Sequence, residues 1–250
     1  MQAEEYRRMY ELESHYWWFV ARRRLALGLL RGGLRSGAET ERLQTLDLGC
    51  GTGAVLEELT AFSEPIGLDM SPLALRFCRE RGLKRLLIGR GEWLPLRSET
   101  LDAVIALDVF EHIDDHSAAF REAARALKPG GVLVLSVPAF KSLWGPHDVA
   151  LMHFRRYRRS EVHRQLEAAG LEVERLSYAI FFLFPLVATI RFFEKRRRGA
   201  PRASLPDLPR WLNRFLIGLQ AVEAALIRWF SLPWGSSVVA IARKPRTSGP

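Results

Sequence analysis

The stretch of sequence that decides the fold is Leu46-Asp47-Leu48-Gly49-Cys50-Gly51-Thr52-Gly53. An apolar strand ends here in alternating glycines, and a helix-forming segment follows at once. Because glycine has no side chain, such a turn lets backbone N–H groups approach a ligand closely. Glycine-rich turns also hold phosphates and dinucleotides. The turn therefore predicts a cofactor site, and the neighbouring motifs have to identify the cofactor.

Short apolar segments alternate with helix-forming segments from residue 45 onward. This alternation predicts an α/β fold with a doubly wound, seven-stranded and mostly parallel sheet. The predicted strands are 45–48, 65–69, 85–88, 101–107, 131–137, 171–178 and 237–244. Residues 4–31 are predicted to form one helix, which Gly32 and Gly33 end.

Composition limits the class of protein. With 250 residues the chain can bury a full core in one α/β domain. Its two cysteines, Cys50 and Cys78, form neither a disulfide framework nor a zinc-binding spacing, which fits a reducing compartment. The acidic N-terminal residues 1–5 lack the pattern of a secretory signal, so we expect a cytoplasmic protein. The net charge of +9 predicts an anionic partner without identifying it.

Further motifs follow the glycine turn at the ends of the predicted strands. Asp69 ends the second strand about 20 residues later, where a doubly wound sheet can hold a ribose diol. The third strand is followed by Gly91-Glu92-Trp93-Leu94-Pro95-Leu96. The fourth ends in Leu107-Asp108-Val109-Phe110-Glu111-His112, and Leu127-Lys128-Pro129-Gly130-Gly131 precedes the fifth.

In this order and spacing the motifs resemble those of the class I S-adenosylmethionine-dependent methyltransferases, and the resemblance covers residues 43–178. It implies a Rossmann-like fold in which the seventh strand is antiparallel, with S-adenosylmethionine as the cofactor. The main rival is a nicotinamide-dependent dehydrogenase. Its G-x-G-x-x-G pattern requires a third glycine, but Val55 and Leu56 stand at that point.

The resemblance also implies roles at the amino-acid end of the cofactor. Gly49, Gly51 and Gly53 bring the backbone against this end, and Asp47 anchors its ammonium group. Asp108, at the end of the fourth strand, belongs to the same cofactor-binding set.

At the nucleoside end, the resemblance implies that Asp69 holds the ribose and that Met70 lies against the adenine. Glu92 accepts a hydrogen bond from the adenine amino group, and Trp93 flanks the ring. A buried core position is the alternative interpretation of Trp93.

Three histidines are candidate catalytic residues for the acceptor. Methyl transfer is an in-line displacement, so the enzyme chiefly aligns the reactants, and a base is needed only when the acceptor loses a proton. His112 follows the fourth strand, and His147 and His153 follow the fifth. All three are expected at the carboxyl edge of the sheet, where such folds bind ligands. Alternatively, His147 and Asp148 only order a loop.

A metal-assisted mechanism is an alternative that uses some of the same residues. Asp108, Glu111 and His112, with His147 or His153, resemble the pattern of metal-assisted 2′-O-methyltransferases of small RNA and of ubiquinone-pathway O-methyltransferases. Oxygen and imidazole ligands suit magnesium, manganese or zinc. Here the first acid is aspartate and reaches less far than the glutamate of the pattern. No metal ligand is therefore assigned, and the alternative stays open.

An insertion at residues 179–235 separates the last two predicted strands. It begins with an apolar run that Pro185 interrupts, continues through Arg191 into the cationic run 195–198, and ends in an amphipathic helix. The apolar run is shorter than the about 20 residues that span a bilayer. Aromatic side chains beside arginines suit helices that lie on a membrane surface. A helical lid or a homodimer surface is the alternative.

The predicted organisation is an N-terminal helical cap (1–42), a cofactor-binding core (43–178), the insertion (179–235) and a last strand with a tail (236–250). We expect a methyltransferase that acts on an oxygen or nitrogen atom of a small-molecule or lipid-linked acceptor. Nucleic acid is disfavoured because no D-P-P-Y-like motif follows the fourth strand and no RNA-binding module is recognisable. The alternatives are metal-assisted O-methylation of RNA or a quinone-type compound, and a cofactor-binding protein without turnover.

Overall fold

The computed structural model describes residues 3–34, 42–194 and 206–246. The strands are β1 (Leu43–Leu48), β2 (Ser63–Asp69), β3 (Leu86–Ile88), β4 (Leu101–Leu107), β5 (Leu127–Pro138), β6 (Glu172–Ala179) and β7 (Ser237–Arg243). The helices in the described ranges are α1 (Ala3–Leu12), α2 (Trp17–Gly33), α3 (Ala54–Leu59), α4 (Pro72–Glu80), α5 (His116–Ala126), α6 (Pro146–Ala150), α7 (Arg159–Ala168), α8 (Phe184–Glu194) and α9 (Arg210–Ile227). The predicted cationic run 195–198 lies outside the described residues.

The seven strands form one sheet in the order β3-β2-β1-β4-β5-β7-β6. Strand β7 runs antiparallel to both β5 and β6, whereas the pairs among β1 to β5 are parallel. The predicted Rossmann-like sheet is thereby confirmed. Strand order reverses at β1, which pairs with β2 on one side and β4 on the other. In open α/β sheets the crevice at such a reversal is where ligands bind.

Both faces of the sheet are covered by apolar side chains. Along β4, Val104 and Ala106 belong to one buried cluster, while Ala103 and Ile105 belong to the cluster on the opposite face. This alternation follows from the two-residue period of a strand. It also explains why residues 101–107 read as a continuous apolar run, since a parallel strand is buried on both sides.

The prediction of one helix over residues 4–31 is wrong, because the chain bends between α1 and α2. At the bend, the buried Glu13 side chain accepts hydrogen bonds from the Thr52 hydroxyl and the Arg81 guanidinium. The Tyr16 hydroxyl donates to the Pro206 carbonyl at 3.1 Å. These distant partners turn α1 over the glycine turn while α2 packs on the sheet. As predicted, α2 ends at Gly33.

The two insertion helices leave and rejoin the sheet at its carboxyl edge, between β6 and β7. Helix α9 packs along α2. Its Asn213 side chain accepts the Trp17 N–H and donates to the His15 carbonyl, both at 2.8 Å. The N-terminal helices and the insertion therefore form one connected layer. Within the described ranges, no helix is sufficiently long and apolar to cross a bilayer.

Candidate functional site

The glycine turn between β1 and α3 has a backbone that favours glycine at each predicted position. The φ angles of Gly49, Gly51 and Gly53 are 67°, 52° and 94°, in the region that side chains strain. A Cβ on Gly49 would also lie 2.5 Å from Val109 Cγ2. The N–H groups of residues 49 and 50 donate to the Leu68 carbonyl at 2.7 and 3.0 Å. These bonds hold the turn against the end of β2.

Asp69 closes the same corner from the end of β2. Its carboxylate accepts the Gly51 N–H at 3.0 Å and the Ser71 N–H at 2.9 Å. Burial raises the pKa of Asp69 above its usual 3.8, although these backbone hydrogen bonds oppose the rise. Met70 follows with 63% of its surface exposed. The acid is thus held beside the glycines, next to an apolar side chain that is free to contact a ring.

Asp47, at the end of β1, has an unusual carboxylate. Its Oδ2 atom is buried and has no hydrogen-bond partner among the described residues. Burial, reinforced by the negative charges of Asp69 and Glu13, raises the pKa of Asp47 well above 3.8. An unpartnered buried carboxylate is costly unless a ligand satisfies it. The oxygen therefore fits the predicted ammonium anchor.

Arg22 is a site residue that the sequence did not single out. Helix α2 carries its guanidinium to Asp108, which also accepts the Ser136 hydroxyl at 3.2 Å. The Arg22 Nε atom is buried and unpartnered within the described ranges, and burial lowers the pKa of Arg22 to about 10. Residues 22–24 are all arginine, so the run resembles a solvated face and contains no signal that distinguishes its first member. The Nε–H suits a ligand carboxylate.

The predicted adenine contacts occupy the turn after β3. The backbone N–H of Trp93 donates to the Arg90 carbonyl at 3.2 Å, and Trp93 is 83% exposed. The interpretation of Trp93 as a core residue is therefore wrong. Glu92 and Trp93 line a surface depression of about 560 Å³ that faces α5 and includes neither Asp69 nor Met70. The structure groups Asp47, Asp69 and the glycines closely, and leaves Glu92 and Trp93 to one side.

Helix α1 forms a wall over the glycine turn. The Met9 Cε atom lies 2.7 Å from the point that a Cβ on Gly51 would occupy. Tyr10 packs against Phe77 of α4 with ring centroids 4.8 Å apart. Tyr6 is buried nearby, and burial together with the charge of Asp69 raises its pKa. The N-terminal helix thus borders the predicted cofactor site.

The residues predicted to serve the acceptor lie around the turn of 3₁₀ helix at Phe110–His112. One ligand atom from each of Glu111, His112 and His153 lies within 4.8 Å of the others. The Phe154 N–H donates to the Glu111 carbonyl at 2.8 Å, which fixes the two segments together. Of the predicted acceptor residues, His112 and His153 are brought into one cluster. Asp108 is separate, in the ion pair with Arg22.

Burial dominates the charge state of this cluster. Both carboxylate oxygens of Glu111 are buried and lack a partner among the described residues, and burial raises the pKa of Glu111 to about 8. Burial also lowers the pKa of His112 to about 3, and the nearby His153 contributes to the shift. His112 is thus a neutral imidazole at pH 7. Such a set offers lone pairs to a proton or a cation.

Asp148 orients His153. Its carboxylate lies 2.9 Å from His153 Nδ1 and accepts the Arg156 Nε–H at 2.7 Å and the Gly145 N–H at 2.9 Å. Burial tends to raise the pKa of Asp148, but the bonds from His153 and Arg156 outweigh it and bring the pKa below its usual value. Because Nδ1 donates to this carboxylate, Nε2 of His153 is left as an acceptor. The sequence placed Asp148 only in a loop.

His147 stands apart from the cluster, on α6 beside Asp148. Burial and the positive charge of Arg191 lower its pKa to about 3. The structure therefore separates the three candidate histidines into a pair, His112 and His153, and a neighbour.

Comparison with known proteins identifies a methyltransferase domain within the chain. Residues 46–135 match the family model of a methyltransferase domain. A protein of Mycolicibacterium smegmatis named as a probable S-adenosylmethionine-dependent methyltransferase is 33% identical over 134 residues, 52% of each chain. A ubiquinone biosynthesis O-methyltransferase of Xanthomonas oryzae is 32% identical over 100 residues, 37% of this chain and 42% of the relative. The chain thus spans about half the length of these curated relatives.

A solved structure of an S-adenosylmethionine-dependent methyltransferase from Thermotoga maritima has the same fold. Its TM-score is 0.61 at 20% identity, over 96% of this chain and 95% of that one. The matched domain contains the glycine turn, Asp69 and the Phe110–His112 turn. The domain at residues 46–135 belongs to the class I S-adenosylmethionine-dependent methyltransferases.

Proposed function

We propose that this protein transfers the methyl group of S-adenosylmethionine to an oxygen or nitrogen atom of a small-molecule or lipid-linked acceptor at the carboxyl edge of the sheet. One observation carries the proposal. Buried polar atoms of Arg22, Asp47 and Glu111 lack partners among the described residues, and the charges of Asp47 and Glu111 lie close enough to influence the pKa of Arg22. Asp47 and Arg22 are complementary to the ammonium and carboxylate groups of an amino-acid ligand, and Glu111 belongs to the acceptor cluster beside them.

The residues of the edge divide the reaction between them. S-adenosylmethionine supplies an electrophilic methyl group on a sulfonium. Asp47, Arg22 and the glycine turn hold the donor, and Asp69 orients its ribose. The acceptor atom forms a bond to the methyl carbon as the carbon–sulfur bond breaks, and the acceptor's proton goes to Nε2 of His153. Asp148, bonded to Nδ1, stabilises the resulting imidazolium.

The acceptor is the part of the proposal that needs identification. Extract is incubated with the protein and methyl-labelled cofactor, and the labelled product is identified by mass spectrometry. We expect a small-molecule or lipid product, and we expect His153→Ala to lose at least about 100-fold in rate. His163→Ala is the matched control, since His163 is half exposed on α7 and pairs with Glu167 of the same helix. Cofactor binding without any labelled product would favour the alternative of a non-catalytic protein.

A lipid-linked acceptor is supported by the wall that α8 forms beside the cluster. This helix is mostly apolar and adjoins the turn at Lys141–Leu143. Its Arg191 lies close enough to Asp148 and Arg156 for their charges to influence its pKa, which burial lowers. An apolar wall next to a polar cluster suits an acceptor with a reactive polar head and an apolar tail. The Xanthomonas relative named for ubiquinone biosynthesis is in keeping with this proposal.

Metal-assisted O-methylation is the second candidate function, and a specific observation favours it. Glu111, His112 and His153 are spaced to hold one divalent cation, and Asp148 supports His153 as outer carboxylates commonly support metal-bound histidines. The donor set of one carboxylate and two imidazoles suits zinc or manganese. In that case the three residues would hold a Lewis acid that lowers the pKa of an acceptor hydroxyl.

Metal binding can be tested without turnover. Titration calorimetry with Mn²⁺ and with Zn²⁺ on chelator-treated protein should give one site per chain, which Glu111→Gln and His153→Ala weaken about tenfold or more. His163→Ala should bind as the unaltered protein does. Equal affinity in all four proteins would remove the metal-assisted candidate, while the base mechanism at His153 would stand.

A further inference from the structure

Helix α9 buries polar side chains against the protein and exposes apolar ones to solvent. Its buried residues are Gln220, Glu223 and Ile227. The Glu223 carboxylate accepts the N–H groups of residues 180–182, just before α8. Gln220 donates to the same carboxylate at 3.4 Å. The polar side of the helix is therefore occupied in holding the start of the insertion.

The opposite side of α9 is apolar and open to solvent. On the helix, Trp211, Phe215 and Val222 are 71%, 61% and 56% exposed. Trp229, in the turn just after the helix ends at Ile227, is 77% exposed. The spacings of four and seven residues place the three helical side chains on one face. The turn that bonds the Trp229 N–H to the Leu226 carbonyl at 3.0 Å continues from the helix end. This α9 outer face runs for the length of an 18-residue helix, about 27 Å. Large aromatic side chains this exposed usually mark an interaction surface.

Cations border the α9 outer face. Arg210, Arg214 and Arg228 are exposed and lie on one flank of the apolar stripe by helical spacing. The only acidic residue of α9 is Glu223, which is buried. The surface of this helix thus carries positive charge and no negative charge. In the sequence, the segment that joins α8 to α9 adds Lys195, Arg196, Arg197, Arg198 and Arg202.

We infer that the α9 outer face docks the protein on an anionic phospholipid bilayer, with the helix parallel to the surface. Tryptophan and phenylalanine side chains partition into the boundary between head groups and acyl chains. Arginines on the flank of the stripe reach the lipid phosphates. This docking surface is separate from the proposed methyl-transfer chemistry. None of its residues belongs to the donor half of the site, which comprises the glycine turn, Asp47, Asp69 and Arg22. None belongs to the acceptor half, which comprises Glu111, His112, His153 and Asp148.

Charge also argues against a second copy of the chain on this face. A two-fold contact would bring the flank with Arg210, Arg214 and Arg228 of one α9 against the same patch of the other. With Glu223 buried, α9 offers no exposed carboxylate to pair with these arginines. An anionic lipid surface provides the missing negative charge.

Vesicle flotation of the full chain tests the inference. The unaltered protein should float with vesicles of phosphatidylglycerol and phosphatidylcholine, and much less with phosphatidylcholine alone. The triple variant Trp211→Gln, Phe215→Gln, Trp229→Gln should lose flotation. The triple variant Arg210→Gln, Arg214→Gln, Arg228→Gln should lower the partition coefficient roughly 100-fold, since each cation contributes about one factor of five. High salt should reduce binding of the unaltered protein.

A matched control removes three exposed cations from elsewhere on the surface: Arg79→Gln, Lys84→Gln, Arg97→Gln. This variant should float as the unaltered protein does. Circular dichroism confirms that each variant is folded, as expected for exposed positions. The inference is overturned if the unaltered protein does not float, if the aromatic variant floats equally well, or if that variant only abolishes self-association in sedimentation. Each of these results leaves the proposed methyl transfer untouched.

Discussion

The donor half and the acceptor half of the carboxyl edge satisfy their polar groups differently. In the donor half, both oxygens of Asp69 accept backbone N–H groups, and the turn itself is held by the Leu68 carbonyl. In the acceptor half, both oxygens of Glu111 are buried without a partner in the described part of the chain. Backbone hydrogen bonds therefore hold the turn and Asp69, and the unpartnered atoms of the donor half are those of Asp47 and Arg22, which are left for the ligand. In the acceptor half the whole carboxyl group of Glu111 is unsatisfied, at a cost in stability.

The difference suits the two tasks of the proposed reaction. A cofactor of constant shape can be held by a rigid turn of fixed dihedral angles. An acceptor that loses a proton needs groups whose protonation can change, and these are the neutral imidazoles and the raised carboxyl pKa of the cluster. Changes in the donor half should accordingly act on cofactor affinity, and changes in the acceptor half on turnover.

The largest expected effect is on the donor half. Gly49→Ala places a Cβ 2.5 Å from Val109 Cγ2 on a backbone with φ of 67°. We expect the affinity for S-adenosylhomocysteine, measured by titration calorimetry, to fall at least about 100-fold. Gly82→Ala is the control, because Gly82 has φ of 81° and open space around its Cβ position. If both variants lose affinity equally, close approach at Gly49 is not what matters.

A smaller effect is expected for Asp47→Asn. The change keeps the shape but removes the negative charge that would pair with the ligand ammonium group. Affinity for S-adenosylhomocysteine should fall about 10- to 100-fold, the range for a charge-assisted hydrogen bond of about 1.5–3 kcal/mol. Asp102→Asn serves as the control, since Asp102 pairs with Lys128 at the other end of β4. Unchanged affinity in Asp47→Asn would contradict the assigned role.

The smallest effect concerns the acceptor half and its pH dependence. Glu111 has a pKa of about 8 when folded and an ordinary value of 4.5. As pH rises between these values, the unfolded chain ionises first, so the unaltered protein should lose stability across this window. The Glu111→Gln variant should not lose this stability, because glutamine does not ionise. Denaturant unfolding of chelator-treated protein should show the variant gaining stability relative to the unaltered protein from pH 4.5 to 8, by at most about 1.4 kcal/mol per pH unit. A constant difference across that window would show that Glu111 is not held protonated.

The fold and the donor half could be predicted because their signals are local. Residues 101–107 were predicted as a strand with the observed bounds, since a strand buried on both faces is apolar at nearly every position. The glycines and Asp69 mark a turn whose dihedral angles few other residues accept. In each case the residues that determine the local structure lie within one short segment of the sequence.

The remaining features depend on contacts between distant segments. The bend after α1 is stabilised by Thr52 and Arg81, which lie far along the chain from Glu13. Helical periodicity predicted the apolar stripe of α9, but only the bonds of Glu223 to residues 180–182 determine that the stripe faces outward. Arg22 and Asp148 were likewise missed as site residues because nothing adjacent in sequence distinguishes them.

If one edge of the sheet holds two separable halves of a methyl-transfer site, cofactor affinity and methyl transfer should respond to different variants. The most direct measurement compares cofactor affinity and single-turnover transfer of labelled methyl in two variants. Asp47→Asn should bind S-adenosylhomocysteine weakly and transfer at a near-normal rate when saturated with donor. His153→Ala should bind it with unchanged affinity and transfer at least about 100-fold more slowly. If each variant impaired affinity and transfer alike, or if His153→Ala transferred at the normal rate, the division into two halves would be contradicted.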